Sequence, residues 1–234
     1  MSDHQVEIPL GGGRSSQGVV RVGNTVRRLP TPNSDFAHSL LRHLADRGFE
    51  GAPASLGIDE AGRDVFSFIE GTVPADLARH GDDTLRHAAR LIRRFHDLGA
   101  EVVATRAAAA AGIETICHND LSPCNFVFRG GVPTALIDFD TVAPGSRAHD
   151  VGYAAWLWLD LGSPESDAAE QARRLMLFLD AYGDIRSKPV VAAALARQTA
   201  LAARGKGVGD EAMAGWAAAC LKWTSRNRRT LTGT

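Results

Sequence analysis

The chain has 234 residues, of which 44% are hydrophobic and 23% are charged, and its formal net charge is -1. This length fits one large domain or two small lobes that share a core. The near-zero net charge argues against a nucleic-acid-binding surface and against a polybasic membrane patch. Three cysteines, Cys117, Cys124 and Cys220, make no disulfide framework in a chain this long, and their spacing predicts no zinc site.

The N-terminal part is dominated by short alternating segments and turns. The predicted strands span residues 6–10, 19–22, 25–28, 54–58 and 64–69. Pro9 limits the first strand to a sheet edge, because proline has no N–H to donate to a neighbouring strand. Residues 36–47 are predicted to form a helix that carries three leucines on one face and ends at Gly48.

Helical periodicity begins after Gly71 and dominates the rest of the chain. The predicted helices span residues 83–98, 151–161, 166–182 and 190–203. Two short apolar segments, 126–129 and 134–137, flank a turn at Gly130-Gly131. We therefore predict an α+β, bilobal chain, with a small antiparallel-sheet N-lobe (residues 1–70) and a larger helical C-lobe (residues 71–234).

The distribution of apolar residues predicts neither a membrane span nor a signal peptide. No apolar run approaches the length of a membrane span, and the first residues lack the basic and apolar regions of a signal peptide. We therefore expect a cytoplasmic protein with no membrane partner.

The most informative segment is 116–128, where polar residues lie between apolar ones. Its backbone can be anchored in the core while the polar groups face a cleft. Asp120 and Asn125 lie in this loop, and Asp138 ends the apolar segment 134–137. Phosphoryl transfer needs a carboxylate that accepts the proton of an alcohol and oxygen ligands that hold Mg²⁺ on the phosphates. These three side chains have the chemistry for that reaction.

The spacing His118-x-Asp120-x-x-x-x-Asn125, followed by Asp138, closely resembles the aminoglycoside phosphotransferase family, which has a protein-kinase-like fold. The resemblance implies that Asp120 is the catalytic base, that Asn125 and Asp138 are Mg²⁺ ligands and that His118 organises the loop. Asp150 matches the later aspartate that braces the catalytic loop in this family. Turn formation alone would explain Asp120 or Asn125. It would not explain two acidic segments at the spacing of the family, each beside an apolar strand.

A glycine-rich segment, residues 11–18, lies between the first two predicted strands. Backbone N–H groups in such a loop can cover phosphates. We therefore assign Gly11, Gly12, Gly13 and Ser15 to nucleotide binding. An ordinary loop uses the same residues, so this assignment is weaker than that of the catalytic loop.

The strand at 25–28 lacks the lysine that the family usually places there. Strand alternation puts Thr25 and Arg27 on one face. If that face lines the cleft, Arg27 takes the place of the lysine, since arginine is permanently charged and bonds phosphate with two N–H groups. The alternative is that Arg27 and Arg28 are solvated on an exposed hairpin.

The predicted helix at 36–47 also lacks the glutamate that the family usually offers as a partner for the lysine. The candidates in and beside this helix are Asp35, His38 and Asp46, and the sequence does not choose among them. Residues 66–71 resemble the hinge strand whose backbone hydrogen-bonds adenine, which assigns Ser67 and Ile69 to this role.

The sequence therefore predicts an enzyme, an ATP-dependent O-phosphotransferase that uses Mg²⁺ and transfers the γ-phosphoryl group to a hydroxyl of a small molecule such as an aminoglycoside or amino alcohol. A pseudokinase that binds nucleotide or a partner without turnover is the alternative, because the lysine and the glutamate are missing. A protein kinase is less well supported, since little chain separates Asp138 from Asp150 for docking a peptide. A cluster of carboxylates in the C-lobe favours a cationic acceptor, although an ordinary helix start explains it equally well. Its members are Asp160, Glu165, Asp167 and Glu170.

Overall fold

A computed structural model describes residues 6–11, 18–163 and 166–233 of the chain. Its first part is a five-stranded antiparallel sheet in the order β1-β2-β3-β5-β4. The strands are β1 (Glu7–Pro9), β2 (Val20–Val22), β3 (Thr25–Arg28), β4 (Ser55–Ile58) and β5 (Asp64–Ser67). Helix α1 (Ser34–Asp46) lies between β3 and β4 in the chain. The position of β1 at the sheet edge confirms the limit that Pro9 sets.

The second part is mainly helical and contains two short strand pairs. Its helices are α2 (Asp82–Val102), α3 (Arg106–Ala110), α4 (Arg147–Leu159), α5 (Ala168–Tyr182), α6 (Ser187–Gly207), α7 (Glu211–Arg226) and α8 (Arg228–Thr232). Strand β6 (Thr115–Cys117) pairs with β9 (Ala143–Gly145), and β7 (Phe126–Arg129) pairs with β8 (Val132–Leu136). The turn between β7 and β8 uses Gly130 and Gly131 with φ of 56° and 82°, which only glycine adopts without strain.

The core is continuous from α1 to the C-terminal helices. Helix α2 contributes a buried face of Leu85, Ala88, Leu91, Ile92 and Phe95, as its periodicity predicts. This burial anchors α2 beneath β6 and β8, the strands that precede the segments carrying Asp120 and Asp138. The α+β, two-part architecture predicted from the sequence is confirmed. Within the described ranges, no helix is long and apolar enough to cross a membrane.

Two boundaries differ from the prediction in ways that matter for the site. Helix α4 begins at Arg147, four residues before the predicted start, because the Ser146 side chain caps it by accepting a hydrogen bond from the N–H of His149 at 3.2 Å. Asp150 therefore lies in the first turn of α4. Helix α1 is preceded by Asn33, whose side chain does not cap the helix but reaches the segment after Asp138.

Gly71 lies where the sheet region gives way to the helical region. A Cβ at this position would come within 2.4 Å of Val127 Cγ1 and 2.6 Å of the Phe128 carbonyl oxygen. Only glycine fits here, because the chain passes directly over β7.

Candidate active site

The loop between β6 and β7 is held by the buried carboxylate of Asp150. Its Oδ2 accepts hydrogen bonds from the N–H of His118 at 2.7 Å and from His96 Nε2 at 3.0 Å. Its Oδ1 accepts from the N–H of Asn119 at 2.9 Å. Burial alone would raise the pKa of Asp150, but the bonds from His96 and His118 outweigh it and lower the pKa. The carboxylate is therefore ionised and fixes the start of the loop, the bracing position that the resemblance implies.

His118 joins the same loop to the end of β8. Its Nε2 lies 3.1 Å from the Ile137 carbonyl oxygen, so this nitrogen carries the proton and donates. The ring is fully buried against Phe139, with ring centroids 4.9 Å apart, and burial lowers its pKa. A neutral, packed imidazole is suited to organise the loop rather than to transfer protons.

Asp120 is half-buried and is held by two donors. Asn125 Nδ2 donates to its Oδ2 at 2.8 Å and to its carbonyl oxygen at 2.9 Å. The hydroxyl of Tyr153 donates to Oδ1 at 3.0 Å. Because both carboxylate oxygens keep a free lone pair, Asp120 is oriented and still able to accept a proton.

Tyr153 and Arg197 are parts of this site that the sequence reasoning missed. Burial and the neighbouring Asp120 carboxylate raise the pKa of Tyr153, so its hydroxyl stays a donor. The guanidinium of Arg197 lies 4.3 Å from the centroid of the Tyr153 ring and donates to the Asn119 carbonyl at 2.9 Å. Tyr153 follows Asp150 by three helical positions, a spacing that places both on one face of α4 and was available as a signal. Arg197, on α6, had no such local signal.

Asp138 follows β8 in a left-handed backbone conformation with φ of 64°. Its side chain is 38% exposed and lies 3.5 Å from Arg28 Nη1. The same guanidinium nitrogen contacts Asp140. Burial raises the pKa of Asp140, and the charge of Arg28 opposes this shift. The guanidinium of Arg28 therefore pairs with the carboxylates of both Asp138 and Asp140, just after β8.

The phosphate-facing role of Arg27 stays a prediction, and the structure brings Arg28 rather than Arg27 to the acids that follow β8. Arg27 points to the opposite side of β3, where its Nη1 lies 3.4 Å from Asp59 Oδ2. Arg28, 12% exposed in its side chain, reaches Asp138 and Asp140. The alternation of β3 is as predicted, but the acids after β8 lie on the side of Arg28. The sequence does not identify this side, because every residue of β3 is half-buried and no apolar pattern marks the inner face.

The other predicted nucleotide-binding residues are placed only in part. Gly12, Gly13 and Ser15 lie outside the described residues, and Gly11 follows β1. At the predicted hinge, the N–H of Ser67 donates to the Ala54 carbonyl at 2.9 Å and is therefore used within the sheet. The assignment of Ile69 to a nucleotide base stays a prediction.

The residues present fit a magnesium ion in their donor chemistry. Asn125 turns its Nδ2 toward Asp120, which leaves its amide oxygen for a cation, and Asp138 offers an exposed carboxylate. Amide and carboxylate oxygens are the protein ligands that Mg²⁺ prefers, and it retains several waters. Within residues 6–11, 18–163 and 166–233, no group of three or more His, Cys, Asp or Glu side chains is arranged around a metal site. A site with few protein ligands is what a phosphate-bound Mg²⁺ uses.

Comparisons with known proteins agree with this site. Residues 98–187, which include the whole catalytic loop, match the phosphotransferase enzyme family (APH). A trifolitoxin immunity protein from Rhizobium leguminosarum bv. trifolii is 34% identical over 193 residues, which cover 74% of this chain and 72% of the relative.

Solved structures resemble the whole chain in fold. A choline kinase from Cryptosporidium parvum has a TM-score of 0.62 at 12% identity, covering 99% of this chain and 91% of its own. The GDP complex of aminoglycoside 2'-phosphotransferase-IIIa has a TM-score of 0.58 at 15% identity, with coverage of 96% and 93%. A macrolide 2'-phosphotransferase from Brachybacterium faecium has a TM-score of 0.57 at 17% identity, with coverage of 93% and 91%.

Fold and site together define a protein-kinase-like phosphotransferase. The chain belongs to the phosphotransferase enzyme family, as the resemblance of its catalytic loop indicates, and it is a small-molecule kinase.

Proposed function

We propose that this enzyme transfers the γ-phosphoryl group of ATP to a hydroxyl of a small molecule, with Asp120 as the catalytic base. The observation that carries the proposal is the geometry of Asp120. Its carboxylate is oriented by Asn125 and Tyr153, and its loop is held by the buried Asp150. A carboxylate fixed in this way, together with Asp138 after β8 as a second acid, has the parts that phosphoryl transfer requires.

In the proposed reaction, the acceptor oxygen attacks the γ-phosphorus while the bond to the β–γ bridging oxygen breaks. The acceptor proton passes to Asp120, and ADP leaves with the bridging oxygen. Asn125 and Asp138 would hold Mg²⁺, which supplies charge neutralisation on the phosphates. Arg28 on β3 offers its guanidinium to the same phosphates, because its Nη1 lies 3.5 Å from Asp138, which follows β8.

The lysine missing from β3 was the main reason for considering a pseudokinase. The position of Arg28 beside Asp138 weakens that reason. A guanidinium is permanently charged and bonds phosphate oxygens with two N–H groups. The site thus has a cation beside Asp138 as well as a complete set of Asp120, Asn125 and Asp138.

The acceptor is proposed to be an alcohol. The predicted acidic cluster of the C-lobe is not proposed to attract it. Glu170 pairs with Arg173 at 2.7 Å, and Arg79 lies 3.7 Å away. Asp167 caps α5 by accepting the N–H of Glu170 at 3.0 Å. These contacts favour the helix-start interpretation over a cation-attracting surface. Glu165 lies outside the described residues.

The test is a transfer assay with the purified protein, ATP or GTP, and Mg²⁺ present or chelated. The acceptor panel follows the relatives and fold neighbours: aminoglycosides, macrolides, choline and other amino alcohols, sugars, and trifolitoxin. Mass spectrometry should find one acceptor that gains a single phosphoryl group in the presence of Mg²⁺. Tight nucleotide binding with no transfer to any panel member would favour the pseudokinase.

The control is a pair of matched substitutions. Asp120→Asn should reduce turnover about 10² to 10⁴-fold, the usual cost of removing a general base, with nucleotide affinity nearly unchanged. Asp184→Asn makes the same chemical change at a side chain that is 91% exposed, and it should leave turnover intact. Equal effects of the two variants would contradict the assignment of Asp120.

A further inference from the structure

Strand β5 begins with a carboxylate that is completely buried. Asp64 has an exposed fraction of 0%. Its Oδ2 accepts a hydrogen bond from Ser34 Oγ at 2.5 Å, and its Oδ1 lies 3.1 Å from His38 Nε2. A buried carboxylate is costly unless it is paired and hydrogen-bonded, so this one has a specific arrangement around it.

The position of Asp64 is opposite Arg28 in the sheet. The two are register partners on β5 and β3, and Arg28 Nε lies 3.8 Å from Asp64 Oδ2. The other end of the guanidinium reaches Asp138 at 3.5 Å and contacts Asp140. Arg28 therefore lies between a buried carboxylate inside the sheet region and the acids at the end of β8.

Helix α1 connects the same groups through two adjacent residues. Asn33 Nδ2 donates to the carbonyl oxygens of Asp140 and Val142, at 3.0 Å in each case. The next residue, Ser34, donates to Asp64. The start of α1 thus joins the buried carboxylate to the turn that follows Asp138.

His38 is held in place in turn. Its Nδ1 lies 2.7 Å from Ser55 Oγ, and its ring stacks on Phe66 with centroids 4.8 Å apart. Arg28 also passes over the Phe66 ring at 5.0 Å. The donors around Asp64 are therefore fixed by packing, which fixes the carboxylate that faces Arg28.

We propose that Asp64 is the positioning residue for Arg28, in place of the glutamate that α1 lacks; the two acids of α1, Asp35 and Asp46, are both exposed. The inference rests on the proposed function, in which Arg28 binds the phosphates of ATP. Asp64 lies 3.8 Å from the Nε end of the guanidinium, within ion-pair distance but without a hydrogen bond, and its charge favours the rotamer that presents the Nη end at Asp138. Preorganisation of this kind raises affinity, because a flexible side chain otherwise loses its freedom on binding.

The experiment measures ATP affinity by calorimetry without acceptor, together with kcat and KM. Asp64→Asn keeps the size of the side chain and removes its charge, and we expect ATP to bind about tenfold more weakly. The matched control is Asp59→Asn, which removes the charge that pairs with Arg27 and Arg63 just after β4, and it should leave ATP affinity within about twofold. Equal ATP affinity in the two variants would overturn the proposal.

A double-mutant cycle separates positioning from a general structural effect. If Asp64 acts through Arg28, Asp64→Asn should change ATP affinity little when Arg28→Ala is already present. Full additivity would mean that Asp64 affects the site by another route and would also overturn the proposal. Ser34→Ala, which frees Asp64 Oδ2 while keeping its charge, serves if Asp64→Asn does not fold, with an expected loss of about threefold. A wild-type protein that binds no ATP would instead refute the proposed function.

Discussion

The sharpest prediction concerns Asp150, the carboxylate beneath the catalytic loop. Asp150→Asn keeps the shape of the side chain and replaces one acceptor oxygen by an NH₂ group. The carboxylate accepts three hydrogen bonds, two at Oδ2 and one at Oδ1. In the best orientation the amide oxygen meets the two donors and the NH₂ group faces the N–H of Asn119. The N–H of Asn119 is then left without an acceptor and faces the new NH₂ group, which is also a donor.

The expected loss of stability follows from these contacts. An unsatisfied buried donor costs about 1 to 3 kcal/mol, and each charge-assisted bond that becomes neutral loses about 1 kcal/mol more. Relief of the buried charge offsets part of this, so we expect the free energy of unfolding to fall by about 2 to 3 kcal/mol. Turnover should fall about 10²-fold, because the loop that carries Asp120 is displaced relative to the acceptor.

The assay is denaturant unfolding at several pH values, with turnover measured in parallel. The folded state lowers the pKa of Asp150 below its ordinary value of 3.8, so the stabilisation is fully present above that value and is lost as the pH falls. The difference between wild type and Asp150→Asn should be constant from about pH 7 to pH 5 and should narrow below about pH 4. The exposed Asp184→Asn serves as the control. An unchanged unfolding midpoint for Asp150→Asn would refute this reasoning.

Three further predictions address the cleft directly. Tyr153→Phe removes a donor to Asp120, and we expect steady-state kinetics to show kcat reduced about tenfold with KM for ATP unchanged; an unchanged kcat would mean that this bond does not orient the base. Arg28→Ala should weaken ATP binding about 10-fold to 100-fold in a nucleotide titration, whereas Arg27→Ala should not, and the reverse ranking would restore the original assignment. Cys124 is the partly exposed cysteine, so limited alkylation should modify it before the two buried cysteines and should remove activity. Mg²⁺ and ATP should protect it. Mass spectrometry that finds Cys124 modified in fully active protein would contradict this prediction.

The catalytic loop could be predicted from the sequence because its parts are close together in the chain. Asp120 and Asn125 lie in one short polar segment between apolar strands, and their side chains hydrogen-bond each other. Asp138 follows the next strand. Local spacing sets the geometry here, so the order of residue types carries most of the information.

The contacts of Tyr153 and Arg197 with the loop were harder to predict. Tyr153 reaches Asp120 across 33 positions of the chain, and Arg197 reaches Asn119 across 78. Contacts of this range depend on how α4 and α6 pack. The spacing of Tyr153 from Asp150 marks a shared face of α4, but nothing within either helix identifies the residue that this face meets.

The sequence by itself determined the class of fold and placed Asp120, Asn125 and Asp138 close together around short apolar strands, since both depend on local spacing and on patterns of period 2 and 3.6. Only the tertiary structure decided that Arg28 and not Arg27 faces the acids, and that Asp64 lies behind it. Strand alternation separates two faces but does not say which is inner, and in β3 all four residues are half-buried. The packing of α1 beside β5 makes that choice, because it buries Asp64 and closes one side of the sheet.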